Sequence, residues 1–529
     1  MTNKNIWVAD SETDPFDGIT IPKPFIWGLY NGCDYYEFNS TDDFMAFVLK
    51  LDNAIIYAHN GGKFDWHFIL DYLESRSDLL IIAGRLSKFK IGNVEFRDSI
   101  NILPFPLSAY FKDDFDYNLL TVENRSKPQN KIKISNYLKS DCVNLFSIID
   151  QFIIRFGLNL TLAGTAMKVF SKLTKTKKPR TNKYFYDEIA PFYYGGRVQC
   201  FKSGLIDYPF KVIDINSAYP SVMMNRHPYG GARSVSDKLP KTRAFIERAF
   251  ITLTCISSGA LPFRDAKKKL QFPDDDINRQ YFITGHEYLA AIDTDTIKDV
   301  KIIEVITFRE TIEFSDYVNK FSADKIAAKK SGDKAGYLFS KILLNSLYGK
   351  YGSNPSEYDS YKVVDRKHIK ALEDAEGYKY NAMLGTWALC DKPIDESKQW
   401  FYNVAVAASI TGAVRAQMWR SINQCQGVMY CDTDSIACID TGSLELDAEK
   451  LGAWDIESEC VSGGIAGKKL YAFKMVDGKY KTASKGVRLE APDILKIAAG
   501  EVITHNPQNP SFSVKRGVKF NSRTIRKTD

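Results

Sequence analysis

Two aspartates one residue apart, Asp432 and Asp434, lie in a short acidic segment with apolar sequence on both sides. Residues 426–429 precede the segment and residues 436–439 follow it, a pattern that predicts two short strands joined by a tight turn. Side chains at i and i+2 of a strand share a face, so both carboxylates project together if the turn stays nearly extended. Mg²⁺ binds one or two carboxylates together with substrate phosphates. The hairpin is therefore either a metal site suited to phosphoryl transfer or an ordinary Asp-rich turn.

A third aspartate, Asp214, lies in an apolar segment that is broken at Pro220. On a strand next to the hairpin, this carboxylate would complete a two-metal site in which one ion activates a 3′-hydroxyl and the other holds a triphosphate. Tyr219 follows five residues later, close enough to pack beside a nucleotide sugar. The segment by itself also fits a plain strand followed by the start of a helix.

A lysine, an amide and an aromatic residue recur at helical spacing between these two segments. Lys341, Asn345 and Tyr348 stand at i, i+4 and i+7, so they share one face of a predicted helix that ends near Gly349. Lys329 or the lysine after it, about three turns upstream, is expected on much the same face. Such a face can bind a triphosphate and stack on a base. A solvated amphipathic helix would show the same pattern.

In this order, the three segments resemble motifs A, B and C of the family B DNA polymerases. Motif A corresponds to residues 214–220, motif B to residues 341–349 and motif C to residues 430–435. The resemblance implies in-line attack of a primer hydroxyl on the α-phosphate of a dNTP, with pyrophosphate leaving.

The resemblance also assigns roles to residues of these motifs. Two ions would be bound by Asp214 and Asp434, with Asp432 as a supporting ligand. Lys341 and Lys329 would neutralise phosphate charge, and Tyr219 would exclude a ribose 2′-hydroxyl. The nucleotide-binding set so implied is Tyr219, Lys329, Lys341, Asn345 and Tyr348.

The first part of the chain resembles a DEDD-type 3′–5′ proofreading exonuclease in residues 7–13, 58–65 and 137–141. The resemblance implies two metal ions bound by four acids, and a Tyr137 that orients the attacking water. Tyr137 also faces the same way as the fourth acid if both lie on a helix, since they stand at i and i+4. Between Asn60 and Asp65 there is one residue more than in some relatives, which leaves the exact turn open. The four acids are Asp10, Glu12, Asp65 and Asp141.

Several aromatic and glycine residues are candidate DNA contacts. Residues 193–196 resemble the Tyr-x-Gly-Gly segment between exonuclease and polymerase sites, where glycines permit close backbone approach and aromatic rings stack on bases. Residues 469–471 resemble the Lys-x-Tyr motif that steadies a primer terminus. A Gly-Gly turn and a chance three-residue match are the alternatives. The predicted set is Asn60, Phe64, Tyr193, Gly195, Gly196, Tyr430, Lys469 and Tyr471.

Charge and cysteine usage agree with this reading. The net charge of the 529 residues is only +7, but residues 461–529 hold fourteen Lys or Arg against five Asp or Glu, so this end is a candidate DNA grip. Nine cysteines occur without a Cys-x-x-Cys pair, which favours reduced thiols over a zinc site. No secretory leader or apolar run of membrane-spanning length is found. We expect a soluble protein in the cytoplasm of a bacterial host.

Spacing and length favour one branch of the family. The chain lacks a large N-terminal domain, and the gaps on either side of motif B exceed what palm and fingers need, so two insertions are predicted. This plan is similar to the protein-primed branch, and residues 57–65, 96–99 and 103–106 look closest to polymerases of tailless, membrane-containing bacteriophages. An ordinary DNA-primed or primer-independent enzyme stays open, as do an exonuclease with an inactive polymerase region and a non-catalytic DNA-binding module.

The resemblance implies an α+β multidomain fold, with an RNase H-like α/β exonuclease domain followed by a right-hand polymerase domain. Its expected partners are template and primer DNA, dNTPs, a terminal protein that primes synthesis and a single-stranded DNA-binding protein. We expect a monomer, no membrane, and two Mg²⁺ ions per active site, with Mn²⁺ as an alternative. The predicted division is exonuclease 1–185, first palm part 186–254, insertion one 255–315, fingers 316–352, insertion two 353–395, second palm part 396–460 and basic thumb 461–529.

Overall fold

The computed structural model describes residues 5–111, 114–176 and 180–528. Helix boundaries follow local signals: α3 starts with a proline and stops at Gly157 (φ 78°), and α4 starts after a threonine cap, Thr161. The α-helices are α1 (Thr41–Val48), α2 (Val122–Arg125), α3 (Pro128–Phe156), α4 (Leu162–Thr174), α5 (Lys183–Ile189), α6 (Ala218–Met223), α7 (Arg243–Glu247), α8 (Gly285–Asp293), α9 (Ser315–Ser331), α10 (Lys334–Tyr351), α11 (Ile369–Glu376), α12 (Val404–Gln424) and α13 (Ala491–Ala498).

The strands alternate with these helices along the whole chain. They are β1 (Asn5–Thr13), β2 (Pro24–Tyr30), β3 (Tyr35–Phe38), β4 (Ala54–Ala58), β5 (Asp78–Ile82), β6 (Arg85–Ile91), β7 (Val94–Asp98), β8 (Val198–Cys200), β9 (Gly204–Ile206), β10 (Phe210–Ile215), β11 (His227–Ser236), β12 (Phe250–Ser257), β13 (Phe263–Arg264), β14 (Leu270–Gln271), β15 (Arg279–Thr284), β16 (Ile297–Ile312), β17 (Asp359–Val364), β18 (Lys379–Leu384), β19 (Trp387–Pro393), β20 (Tyr430–Asp432), β21 (Ser435–Cys438), β22 (Trp454–Gly467), β23 (Leu470–Met475), β24 (Tyr480–Ser484), β25 (Ile503–His505), β26 (Ser511–Ser513), β27 (Gly517–Lys519) and β28 (Arg523–Ile525).

A ten-stranded mixed sheet occupies the N-terminal part, in the order β18-β19-β17-β5-β6-β7-β4-β1-β2-β3. Strand β4 runs parallel to both β1 and β7, and α3 packs across β1 and β2. Large side chains such as Trp27, Trp66, Phe89 and Phe96 are buried in this layer. Strands β17 to β19 come from residues 353–395, so this predicted insertion extends the N-terminal sheet through the pairing of β17 with β5.

An antiparallel eight-stranded sheet forms the middle of the molecule, in the order β24-β23-β22-β10-β21-β20-β8, with β9 paired to β22. Helix α12 is buried along nearly its full length and packs with α6, α8 and α10. Strands β22 to β24 extend to residue 484, so the sheet continues into the region predicted as a basic thumb. The domain boundaries stay predictions.

A third sheet, β11-β16-β12-β15, lies beside two long helices. Helices α9 and α10 pack against each other, and Gly332 (φ 73°) separates them. The expectation that Lys329 shares one helix face with Lys341 is therefore wrong, because a left-handed glycine reverses the chain between them. Helix α10 ends at Tyr351, two residues after the predicted end at Gly349. Within the described ranges, no helix combines the length and apolar character needed to cross a bilayer.

Candidate active sites and nucleic-acid interface

The sheet brings the aspartates of motifs A and C together. Strand β10 pairs antiparallel with β21, which sets Asp214 opposite Ser435. The Ile215 N–H donates to the Asp434 carbonyl at 2.8 Å, so Asp434 lies next to Asp214. Burial and the neighbouring negative charge raise the pKa of Asp214 to about 7 and that of Asp434 to about 6. A cation bound beside these two half-buried carboxylates, whose pKa values are raised, would lower the electrostatic energy of the pair.

The turn of the hairpin is not extended. Thr433 has φ 63°, so the i, i+2 argument does not apply, and Asp432 faces a different partner. Lys469 Nζ contacts the two carboxylate oxygens of Asp432 at 2.6 and 2.7 Å. Tyr430 links the same groups, since its hydroxyl accepts from the Lys469 N–H at 2.9 Å and donates to Asp432 at 3.4 Å. Asp432 therefore already has a protein cation beside it.

An aromatic stack joins motif A to motif B. The Tyr219 and Tyr348 rings are parallel within 10°, with centroids 4.4 Å apart. Asn345 is exposed, and its side-chain amide donates to the Lys341 carbonyl at 3.0 Å. Lys341 and Lys329 are exposed on α10 and α9. Sequence reasoning thus named both tyrosines, but it did not predict that their rings stack on each other.

The four acids of the N-terminal part form a second cluster. Asp10 and Glu12 lie on β1, Asp65 begins the 3₁₀ helix Asp65–Tyr72, and Asp141 lies on α3. Burial, reinforced by repulsion from Asp65 and Asp141, raises the pKa of Asp10 well above its usual range. The same causes raise the pKa of Glu12 to about 8. Burial raises the pKa of Asp65 to about 6, although the Ser11 hydroxyl donates to its carboxylate at 2.6 Å. The four carboxylates therefore lie near enough to repel one another.

Tyr137 stands at the edge of this cluster, one turn before Asp141 on α3. Its ring stacks on Phe115 with centroids 4.0 Å apart, and its hydroxyl lies 3.3 Å from the Tyr117 hydroxyl. Burial and the hydrogen bond to Tyr117 raise its pKa, so the phenol keeps its proton. A protonated hydroxyl at this position can orient a water molecule by hydrogen bonding.

Both the sequence and the fold of this chain match those of known proteins. Residues 109–426 match the model of the family described as DNA polymerase type B, organellar and viral. The chain is 38% identical over 555 residues to the DNA-directed DNA polymerase of Enterobacteria phage PRD1, covering 98% of this chain and 97% of that protein.

The chain belongs to this family. It is a DNA-directed DNA polymerase, and the resemblance seen in its motifs is confirmed. The polymerase is also 28% identical to the DNA polymerase of Bacillus phage phi29, over 86% of this chain and 84% of the relative. Its fold is similar to the structure of phi29 DNA polymerase complexed with primer-template DNA, with a TM-score of 0.76 and 20% identity over 99% of this chain and 100% of that one. The predicted fold class is confirmed.

The carboxylates Asp214 and Asp434 are suited to a metal ion only together with a substrate. In residues 5–111, 114–176 and 180–528, no group of three or more Asp, Glu, His or Cys side chains is arranged to hold a metal ion by itself. Asp214 and Asp434 nevertheless supply the one or two carboxylates that Mg²⁺ takes together with substrate phosphates. The residues thus fit ions that arrive with a phosphate-bearing substrate.

The Tyr-x-Gly-Gly segment touches the turn between Asp432 and Asp434. A Cβ on Gly196 would lie 2.8 Å from the Thr433 side chain, so only glycine fits there. Arg415 Nη1 donates to the Tyr194 and Gly195 carbonyls at 2.7 and 2.8 Å. Arg415 Nε forms a buried ion pair with Glu287 at 2.7 Å. Sequence reasoning missed this pair, because no local motif signals partners more than a hundred residues apart.

The remaining predicted DNA contacts divide between the two clusters. Asn60 (φ 66°) accepts from Arg85 at 2.7 Å, and Phe64 packs edge-on against Phe68 and Phe512 near the N-terminal acids. Tyr471 stacks on Phe473 and lies 5.2 Å from the ring of Tyr430. Tyr193 packs against Gly352 at the end of α10.

Proposed function

We propose that this polymerase replicates a linear viral or plasmid genome, starts each strand on a terminal protein, and proofreads with a separate 3′–5′ exonuclease. The observation that carries the proposal is the presence of two carboxylate clusters on two different sheets. One cluster contains Asp214 and Asp434, and the other contains Asp10, Glu12 and Asp65. Two such clusters suit synthesis and degradation of a phosphodiester chain by similar chemistry.

At the first cluster, Asp214 and Asp434 would hold two Mg²⁺ ions, or Mn²⁺ ions, with Asp432 in support. Bound there, the ions would supply Lewis-acid activation of the hydroxyl and neutralisation of phosphate charge. Lys341 on α10 and Lys329 on α9 bind the triphosphate. Tyr219, held flat against Tyr348, closes the space beside the sugar at which a 2′-hydroxyl would project. Asn345 lies on the same exposed face of α10 as Lys341.

At the second cluster, Asp10, Glu12, Asp65 and Asp141 would hold the ions for hydrolysis, and the Tyr137 hydroxyl would orient the water. Phe64 and Asn60 hold the unpaired primer end, since both lie next to the acids. Burial, reinforced by repulsion from Asp141 and Asp65, raises the pKa of Glu12 to about 8, and bound cations would offset both effects. Two ions in this cluster would therefore stabilise the folded protein as well as the reaction.

DNA contacts outside the acids come from three segments. Tyr193, Gly195 and Gly196 contact the template between the two clusters, while Tyr430, Lys469 and Tyr471 steady the primer terminus. Phi29 DNA polymerase, which shares the fold, has been solved with primer-template DNA and incoming nucleotide substrates. The same partners suit this polymerase, which we propose works as a monomer in the host cytoplasm, with a single-stranded DNA-binding protein.

Priming by a terminal protein is supported by the domain organisation, in which two inserted regions are predicted, one on each side of motif B. We assign the first, residues 255–315, to contact with the terminal protein and primer duplex. We assign the second, residues 353–395, to processivity and strand displacement. Its strands extend the N-terminal sheet, which gives it a rigid base. For the first nucleotide, the attacking hydroxyl then belongs to a protein side chain.

A priming assay tests this function. The polymerase is mixed with Mg²⁺ or Mn²⁺, one labelled dNTP and the protein linked to the ends of its native genome. Label on that protein is the expected result, and an Asp434→Ala variant is the matched control that should transfer none. Label that appears only on added DNA primers would contradict protein priming and favour a DNA-primed enzyme.

A further inference from the structure

The turn between the two motif C strands has a conformation that its residues do not favour. Thr433 adopts φ 63°, a left-handed angle that a β-branched residue rarely takes. Two backbone hydrogen bonds hold it: the Thr433 N–H donates to the Arg197 carbonyl at 2.6 Å, and the Asp434 carbonyl accepts from Ile215 at 2.8 Å. The direction of the Asp434 carboxylate therefore depends on where the backbone of Arg197 lies.

The side chain of Arg197 is held by two aromatic rings and by hydrogen bonds at its terminal nitrogens. It is fully buried, and its guanidinium carbon lies 4.1 Å from the Phe272 ring centroid and 4.3 Å from that of Trp419. It donates to the Gly259 carbonyl at 2.7 Å and to Gln199 Oε1 at 2.5 Å. Aromatic faces and carbonyl dipoles compensate a buried guanidinium only in a defined geometry. The side chain thus cannot move without moving its own backbone.

The groups that hold Arg197 come from distant parts of the chain. Gly259 and Phe272 belong to the region of β12 to β15, and Trp419 belongs to α12. The Trp419 indole is itself held by the Thr294 hydroxyl at 3.0 Å. Arg197 therefore connects the predicted first insertion to the turn that carries Asp434.

We propose that Arg197 is a positioning residue for nucleotidyl transfer: stacked between Phe272 and Trp419, it fixes the Thr433 turn and so directs Asp434 toward Asp214. The residue acts through the backbone and does not touch the substrate. This inference rests on the proposed metal-binding role of Asp434. It implies that loss of the guanidinium slows the chemical step and weakens divalent-ion binding, with little effect on nucleotide affinity.

The kinetic test compares Arg197→Met, which keeps the length but not the charge, with Arg197→Lys, which keeps the charge but cannot stack as a plane. Single-turnover incorporation should fall about 100-fold for Arg197→Met, with the nucleotide Kd changed less than about threefold. Arg197→Lys should recover part of the rate. Arg420→Met is the matched control, since Arg420 is a partly exposed arginine whose ion pair is with Asp293.

A second readout separates positioning from general damage. Mn²⁺ binding is measured by electron paramagnetic resonance with primer-template DNA and a non-reactive nucleotide, in an Asp10→Ala, Glu12→Ala background that removes the other cluster. Arg197→Met should weaken Mn²⁺ binding about tenfold, since a displaced carboxylate is a poorer ligand. With the N-terminal acids intact, digestion of single-stranded DNA and the melting temperature should change little.

Two results would overturn the inference. Unchanged rates and Mn²⁺ affinity in Arg197→Met would show that the Thr433 turn keeps its conformation without the Arg197 side chain. A parallel loss of incorporation, digestion and melting temperature would show a purely structural role. A different result would contradict the proposed function: if Asp434→Ala still incorporates nucleotides, the metal site is elsewhere. If Asp434→Ala is inactive and Arg197→Met is normal, only the positioning role of Arg197 is wrong.

Discussion

At the polymerase cluster, Asp214 and Asp434 come from adjacent strands of one antiparallel sheet, with Lys481 and Lys469 near enough to offset part of their repulsion. At the N-terminal cluster, burial and neighbouring carboxylates account for the raised pKa of Glu12. The first cluster thus has protein cations built in. We therefore expect the second cluster to depend more on ions from solution.

The largest expected effect comes from removing an acid of one cluster at a time. Asp434→Ala should lower nucleotide incorporation by at least about 1,000-fold, as expected for loss of a group that stabilises transition-state charge. Digestion of single-stranded DNA should stay within about twofold, because Asp10 and Glu12 lie on a different sheet from Asp434. Primer-extension and digestion assays on the same preparation measure both activities.

The reciprocal variant, Asp10→Ala with Glu12→Ala, is the control. It should remove digestion and leave extension intact. A folded Asp434→Ala protein that has lost both activities would contradict the independence of the clusters, and digestion that survives in the double variant would make the exonuclease assignment wrong.

A smaller effect is expected at the aromatic stack, which has no counterpart among the N-terminal acids. Tyr219→Val removes the ring that lies flat on Tyr348 and should raise ribonucleotide incorporation relative to deoxyribonucleotide incorporation by about 100-fold. Competition between a dNTP and the matching rNTP gives this ratio directly. Tyr219→Phe keeps the stack and should leave the ratio nearly unchanged. A Val variant as selective as the parent protein would exclude Tyr219 as the sugar discriminator.

Lys469, which pairs with Asp432, gives a third test of the difference between the two carboxylate clusters. Lys469→Met removes the cation beside Asp432 and should slow primer extension about tenfold, with digestion of single-stranded DNA unaffected. Lys468→Met is the matched control, because Lys468 is exposed and next in sequence. Equal effects of the two substitutions on extension would mean that general positive charge, not the Asp432 contact, matters.

Local sequence patterns predicted the elements whose structure depends mainly on residues close to one another in the chain. The hairpin and the strand carrying Asp214 were predicted from apolar sequence and turn residues, although the hairpin strands are Tyr430–Asp432 and Ser435–Cys438 and not the predicted 426–429 and 436–439. The helix carrying Tyr137 was expected from the resemblance to the exonuclease segments. The break at Gly332 was missed, because helical spacing on both sides looked continuous.

Other features were out of reach for a physical reason. The left-handed turn at Thr433 runs against the preference of a threonine, and the hydrogen bond that its N–H donates to the Arg197 carbonyl helps to hold it in this conformation. The Arg415–Glu287 ion pair joins residues 128 positions apart, and the sequence around either residue contains no pattern that indicates the other. Tertiary contacts of this kind decide the geometry of the site, whereas the motifs decide only which residues enter it.

The smallest expected effect is on stability and follows from the unfavourable charge of the N-terminal acids. Because the folded-state pKa of Glu12, about 8, lies above its ordinary value, the folded protein binds more protons than the unfolded chain at intermediate pH. Without divalent ions, stability should therefore fall as pH rises from about 5 to 8. Glu12→Gln should flatten this slope and gain on the order of 1 kcal/mol at pH 8. Thermal melts in EDTA measure the difference, and added Mg²⁺ should stabilise the parent more than the variant. If the parent melts equally well at pH 5 and 8 in EDTA, the repulsion is relieved by the protein itself, and the contrast between the two clusters disappears.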